Sequence, residues 1–276
     1  MQGEFAAKVS ARGDAVKPVL MQSPGDTKQG DRTRIDDHPL AAKIGLVIGF
    51  IPIIIYWHAF SGFWSSTLPW VIALLLEIGC PLFLYVHYFL NRRSRRLIWE
   101  GVAVCVGFIP TWMLLGSYWL FYFCFAPMPV AIRITALLMC LVVAATWAWL
   151  SWAAFAREDG RLGLIDRLFK AEGDCIVYPD ESDSVIGKLD GPGKSIAVPY
   201  WLVSVVGPIL IGYSMLSARL FEGSGEPHGM FIILSAIGLP VTCWLLTKFF
   251  VRFAYFHIYL AIKLERKTGK KVILGS

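Results

Sequence analysis

Glu77 is the one acid that falls deep inside an apolar segment of this chain, between Leu68 and Leu90. An unpaired carboxylate in such a setting is costly enough to take up a proton or to hold a cation. Pro81 follows four residues later and, lacking an N–H, frees the backbone carbonyl of Glu77 itself. A carboxyl group and a free acceptor then share one helical turn, which suits a proton or a monovalent cation. Ser204, whose carbonyl Pro208 frees in the same way, is a second candidate. The plainer alternative is a neutral Glu77 hydrogen-bonded to a neighbouring helix, or one paired with Arg133, which enters its own apolar segment from the same side.

Other reactive residue types form no recognisable constellation. His87 and His257 fall near one boundary, and two imidazoles can ligate one iron, but His58 and His228 fall near the other and no paired spacing recurs. Interfacial hydrogen bonding is the reading adopted for them, with no cofactor. Cys80, Cys105, Cys124, Cys140, Cys175 and Cys243 show no Cys-x-x-Cys spacing, which argues against a zinc site or a disulfide framework, so no metal ligand is assigned. A glycine-rich phosphate loop, a nucleophile elbow, paired catalytic carboxylates and His-Glu-x-x-His are all missing, so no catalytic residue is assigned either.

The elements that must carry these residues are set by composition. Apolar residues make up 56% of the 276, and charged residues only 17%, a balance foreign to soluble domains. A hydrocarbon layer about 30 Å thick requires about 20 apolar residues of a helix. Six segments qualify: Leu40 to Phe60, Leu68 to Leu90, Ile98 to Phe123, Val130 to Phe155, Pro199 to Phe221 and Gly229 to about Val251.

All of the 26 Lys and Arg residues except Arg133 and Arg219 fall on one side of that threading, so the positive-inside rule puts both termini in the cytoplasm. Tryptophans agree, with Trp57, Trp64, Trp70 and Trp119 at the outer boundary and Trp99, Trp149, Trp152 and Trp201 at the inner one. The fold class is therefore an all-α integral membrane protein with six transmembrane helices, in a bilayer of the bacterial inner-membrane type.

Five of the six segments carry proline near the middle, closely preceded by glycine: Gly49/Pro52, Gly79/Pro81, Gly107/Pro110, Gly207/Pro208 and Gly238/Pro240. Freed carbonyls at such kinks can line a central cavity, or be satisfied locally by Ser, Thr and 3₁₀ turns. Gly-Phe-Ile-Pro occurs at both Gly49 and Gly107, which suits either duplicated hairpins or chance in a biased alphabet.

Outside the bilayer, residues 1–36 read as a disordered cytoplasmic arm, with Asp37 a cap for the first helix. Residues 37–156 carry four helices and 199–251 the last two. Between them lies a cytoplasmic loop, 157–198, whose nine acids against six bases argue against nucleic-acid binding. Within it Arg161 to Lys170 has Leu164, Ile165, Leu168 and Phe169 at helical spacing, an interfacial amphipathic helix. Cys175 to Tyr178 and Val185 to Leu189 read as a β-hairpin.

The tail, 252–276, continues the apolar pattern through Phe253, Phe256, Tyr259 and Leu260 and ends in five bases between Lys263 and Lys271. It should lie on the inner surface, where these four residues and Leu164, Leu168 and Phe169 bind anionic lipid or a partner helix. Three functional classes follow. The leading one is a non-enzymatic subunit of a larger membrane assembly, of the secretion, conjugation or envelope-biogenesis kind. The second is a small transporter or channel built on Glu77. An intramembrane enzyme is the third.

Overall fold

A computed structural model describes residues 38–91, 94–188 and 228–275. The expected arm, the Asp37 cap, the expected fifth span and Ser204 lie outside these residues. Among the described residues five helices are long and apolar enough to cross a membrane: His38–Trp64, Leu68–Asn91, Leu97–Leu115, Val130–Leu162 and Phe231–Thr268.

The first of these is α1 (His38–Tyr56), carried on by a π turn over Trp57–Ser61 and by α2 (Gly62–Trp64). Ser65 then takes a left-handed φ of 50°, and α3 (Leu68–Asn91) returns along α1. Pro52 and Pro81 are buried within these helices without ending either.

The expected third span is not one helix. It divides into α4 (Leu97–Gly107), α5 (Ile109–Leu115) and α6 (Tyr118–Phe125). The first break falls just ahead of Pro110, which cannot donate into the preceding turn. At the second, Gly116 and Ser117 both direct their N–H groups to the Trp112 carbonyl, and Ser117 Oγ takes the Met113 carbonyl at 2.7 Å. A hydroxyl thus replaces a lost backbone donor, the local compensation expected in an apolar environment.

α7 (Val130–Leu162) outruns its expected end at Phe155, stopping where Gly163 adopts a φ of 58° that L side chains resist. The expected amphipathic helix is consequently split. Arg161 and Leu162 finish α7, α8 covers only Leu164–Leu168, and Lys170 already belongs to β1 (Lys170–Glu172). β2 (Cys175–Tyr178) forms as expected, but the expected second hairpin strand does not. Residues 185–188 lie in α9 (Glu181–Lys188), whose first turn carries Glu181 and Asp183, acids that favour a helix start.

The last long helix is also unlike its expectation. α10 (His228–Leu245) runs without a break through π turns at Leu246–Val251 and Ala254–Tyr259 into α11 (Leu260–Thr268). After Gly269, at φ 71°, comes β3 (Lys271–Leu274). The sheet order is β1-β2-β3, with β1 antiparallel and β3 parallel to β2, and Val272 opposite Ile176.

Among the described residues two large apolar cores form, one at each end of the helices, with a small third cluster of Ala42, Leu84 and Ala103. An aromatic end gathers Tyr56, Phe60, Phe121, Tyr122 and Phe231, with Tyr56 stacked on Phe121 at 4.4 Å between ring centroids. A basic end gathers Leu97, Phe155, Leu164, Leu168, Tyr178, Phe256, Leu260, Val272 and Leu274. There β3 is held from both sides: Leu274 N–H donates to the Arg95 carbonyl at 2.8 Å, and Glu265 accepts from Arg96 at 2.7 Å and from the Val272 N–H at 3.1 Å. Arg95 adopts a left-handed φ of 46° where the chain turns to meet the strand.

Candidate functional site

Glu77 sits on the face of α3 that packs against α1, at 2% exposure. Among the described residues neither carboxyl oxygen has a hydrogen-bond partner. The reason it fits is Gly49: a methyl group added there would overlap the Glu77 carboxyl, its carbon at 2.6 Å. The side chain therefore lies against bare backbone, in a gap that only glycine leaves. A charge so placed would be costly without a counter-ion.

Arg133 is not its partner. Its guanidinium donates to the Ala126 carbonyl at 2.8 Å, closing the turn between α6 and α7 at the aromatic end. Pro81 is buried on the same helix as Glu77 and a turn further on. Ser204 lies outside the described residues, so the structure leaves Glu77 and Pro81 as the described part of that candidate site.

The residues expected to meet lipid or a partner are placed otherwise. Phe256 and Leu260 have no exposed surface, and Leu164, Leu168 and Phe169 are buried with them in the core of the basic end. Tyr259 is exposed, and Phe253 is half-buried with its ring edge-on to His257 at 4.7 Å. The apolar stripe of the tail is thus consumed within the chain. Its partner is the loop between the fourth and fifth expected spans together with β3, a pairing that periodicity marks only as an apolar face awaiting cover.

Several polar groups that sequence reading passed over do converge. Thr242 Oγ1 accepts the indole N–H groups of Trp112 and Trp119, each at 3.1 Å, and has the carbonyls of Gly116 and Gly238 at 2.9 and 2.8 Å as acceptors. Trp119, expected at an interface, is accordingly buried. Thr247 binds Trp147 Nε1 at 2.8 Å and the Ser151 hydroxyl at 2.6 Å, joining α7 to the last helix. Thr242 ties the divided third span to the last helix and Thr247 ties α7 to it; the hydroxyl just after Pro240 was a sequence signal for the first, and no local pattern marked the second.

Histidines also pair differently from the iron-ligating arrangement considered above. His87 lies against His38, ring centroids 5.6 Å apart, and against Trp99. His228 shares a 2.9 Å hydrogen bond with the Tyr122 hydroxyl at the aromatic end. His257 is buried between two acids, its Nδ1 3.9 Å from Glu100 and its Nε2 3.6 Å from Asp183. Glu100, near the start of α4, is a second buried acid of the helix bundle, legible only once α4 is seen to lie so close to the last helix that a methyl group added at Gly101 would stand 2.8 Å from the His257 Cβ. Among the described residues no group of three or more His, Cys, Asp or Glu could hold a metal ion.

Five long apolar helices and a small mixed sheet closed at one end define the class: an integral, multi-pass membrane protein. Comparison with protein-family models, with curated proteins and with solved structures gives no match to this chain.

Proposed function

We propose that this chain is a small transporter or channel in which Glu77 binds and releases a proton or monovalent cation. What carries the reading is the pair of Glu77 oxygens, buried against Gly49 with no hydrogen-bond partner among the described residues. A carboxyl used only to join helices would be expected to spend its oxygens on a neighbour. Glycine and proline on α1 and α3 keep the surrounding backbone short of side chains, as in carriers whose helices are interrupted near a midplane site.

The proposed frame is six passes with both termini cytoplasmic, in a membrane of the bacterial inner type. Support comes from connectivity. Lys188 belongs to the basic end and His228 to the aromatic end, so joining them takes an odd number of passes, and Pro199 to Phe221 is the apolar stretch available for one. The frame predicts that a cysteine introduced at Ser65 reacts with an impermeant maleimide applied from outside, whereas one at Ser94 reacts only after the membrane is opened. The reverse pattern would overturn it.

For Glu77 the test is proton flux into proteoliposomes, read with a trapped pH dye. Wild type should conduct under an imposed potential, and Glu77→Gln should lose at least about tenfold of that rate, a change equivalent to about 1.4 kcal/mol or more in the barrier. Its melting temperature should stay near that of wild type, because Gln reproduces the shape of the neutral acid. Equal flux in the two proteins, or none in wild type, would sink the reading.

A second reading, a subunit of a larger membrane assembly, is favoured by α7. Of its 33 residues only Ala144, Ser151 and Phe155 are buried among the described residues, and Val130, Met139, Val142 and Trp149 are more than 60% exposed. Absence of flux in wild type together with stoichiometric partners recovered from native membranes would favour it.

A further inference from the structure

Where α9 of the end sheet faces the last long helix, the structure leaves a cavity of about 400 Å³. Its wall combines two kinds of surface. One is basic: Lys248 and Arg252, on consecutive turns, separated by the end of the first π turn. The other is aromatic: Trp244 and Phe249, on the same helix. Phe249 is 38% exposed and Phe250, beside it, 45% exposed, so the aromatic side opens towards the surroundings of the helix bundle.

Long basic side chains near the end of a membrane span commonly fix its depth by reaching the headgroups. The surroundings of Lys248 and Arg252 say more. Both are half-buried, and among the described residues neither has a hydrogen bond or an ion pair within 4.0 Å, although the charge of Asp183 acts on Arg252. Gly187 of α9 lies beside the Arg252 guanidinium, and a methyl group there would meet it in ordinary contact at 3.6 Å. Asp183 is the acid on this wall, and it is already engaged: the Tyr178 hydroxyl donates to it at 2.6 Å, and His257 Nε2 is 3.6 Å away. Lys248 and Arg252 are two cations at partial burial, and the one carboxylate on the wall, Asp183, acts on Arg252 while also serving Tyr178 and His257, so the cavity keeps a net positive charge. Exposed bases would have that charge solvated by water, but desolvation makes a bound anion worth more here.

π turns add a geometric reason. Those at Leu246–Val251 and Ala254–Tyr259 flank Arg252 and Phe253, and each re-aims side chains that a regular helix would spread around its axis. Such wide turns are concentrated at functional sites. They widen the helix where Lys248, Arg252 and His257 must face one space.

We infer that this cavity binds the phosphate group of a membrane amphiphile, with Lys248 and Arg252 holding the phosphate oxygens and the first acyl or prenyl carbons lying along Trp244 and Phe249. A phosphate is preferred over a carboxylate because an ammonium and a planar guanidinium approach from separate turns, which matches an anion with several acceptor oxygens rather than two in one plane. A lipid source is preferred over a soluble one because the aromatic wall continues into apolar exposed surface. The inference is independent of the role of Glu77.

The test uses the full-length protein in a zwitterionic detergent-free nanodisc of phosphatidylcholine, to which phosphatidylglycerol, inorganic phosphate or hexyl phosphate is added. Retained lipid is counted by mass spectrometry of the released protein. Wild type should retain phosphatidylglycerol in preference to phosphatidylcholine, and Lys248→Gln and Arg252→Gln should each lower that retention at least threefold, the double variant more. Lys267→Gln, an exposed base of the same helix, should leave it unchanged and so controls for general charge. If the double variant fails to fold, each single variant carries the test. Equal retention in the Lys248 and Arg252 variants, or an equal loss in Lys267→Gln, would overturn the site. Competition by inorganic phosphate as strong as that by hexyl phosphate would overturn the lipid source.

Discussion

Val272→Asp should unfold the basic end, at a cost of about 3–5 kcal/mol, the range for a buried charge left without a partner. Val272 has no exposed surface and faces Ile176 across the parallel pair. Its N–H already donates to Glu265, so a new carboxylate would sit beside an existing one and be repelled as well as desolvated. Lys271→Asp, one residue earlier on the exposed face of the same strand, should change stability by no more than about 0.5 kcal/mol. A solvated basic tail would tolerate both changes alike. Thermal unfolding in mild detergent, followed by loss of monodisperse protein, separates the two cases, and equal melting temperatures for the two variants would refute the role given to β3.

Gly49→Ala should cost about 1–3 kcal/mol, because the added methyl must displace a carboxyl that is itself enclosed. The informative quantity is its dependence on Glu77. In a Glu77→Ala background the space is vacated, and the same substitution should cost less than about 1 kcal/mol, a coupling typical of residues in contact. In a Glu77→Gln background the full cost should return, since glutamine fills the same volume. Additive costs in all three backgrounds, measured by unfolding in mixed micelles, would mean that the carboxyl does not rest on Gly49. Coupling without any loss of proton flux in Glu77→Gln would leave the contact standing and remove the transport role built on it.

These two variants lie at opposite limits of what could be read before the fold was known. Val272 belongs to a segment that looked like a basic tail, because local composition reports five bases and says nothing of the strand beside which a chain end will lie. The hairpin expected at Val185 failed for the same reason: β2 found its second partner nearly a hundred residues away, and pairing across that separation leaves no mark in a local window. Glu77 was visible at once, because one acid in an apolar run is conspicuous whatever surrounds it.

What the sequence by itself determined is that this is a multi-pass membrane protein of long apolar helices, and the singular position of Glu77. Each follows from transfer free energy, which depends on residue type and run length and is summed locally along the chain. Only the tertiary structure decided that Gly49 rather than Arg133 lies against Glu77, that Thr242 gathers two indoles, and that Phe256 and Leu260 face the chain's own sheet. It also decided that Lys248, Arg252 and His257 border one cavity. Those are contacts between distant segments, set by which surfaces fit closely enough to exclude one another's solvent, and a pattern along one segment carries no information about the shape of another.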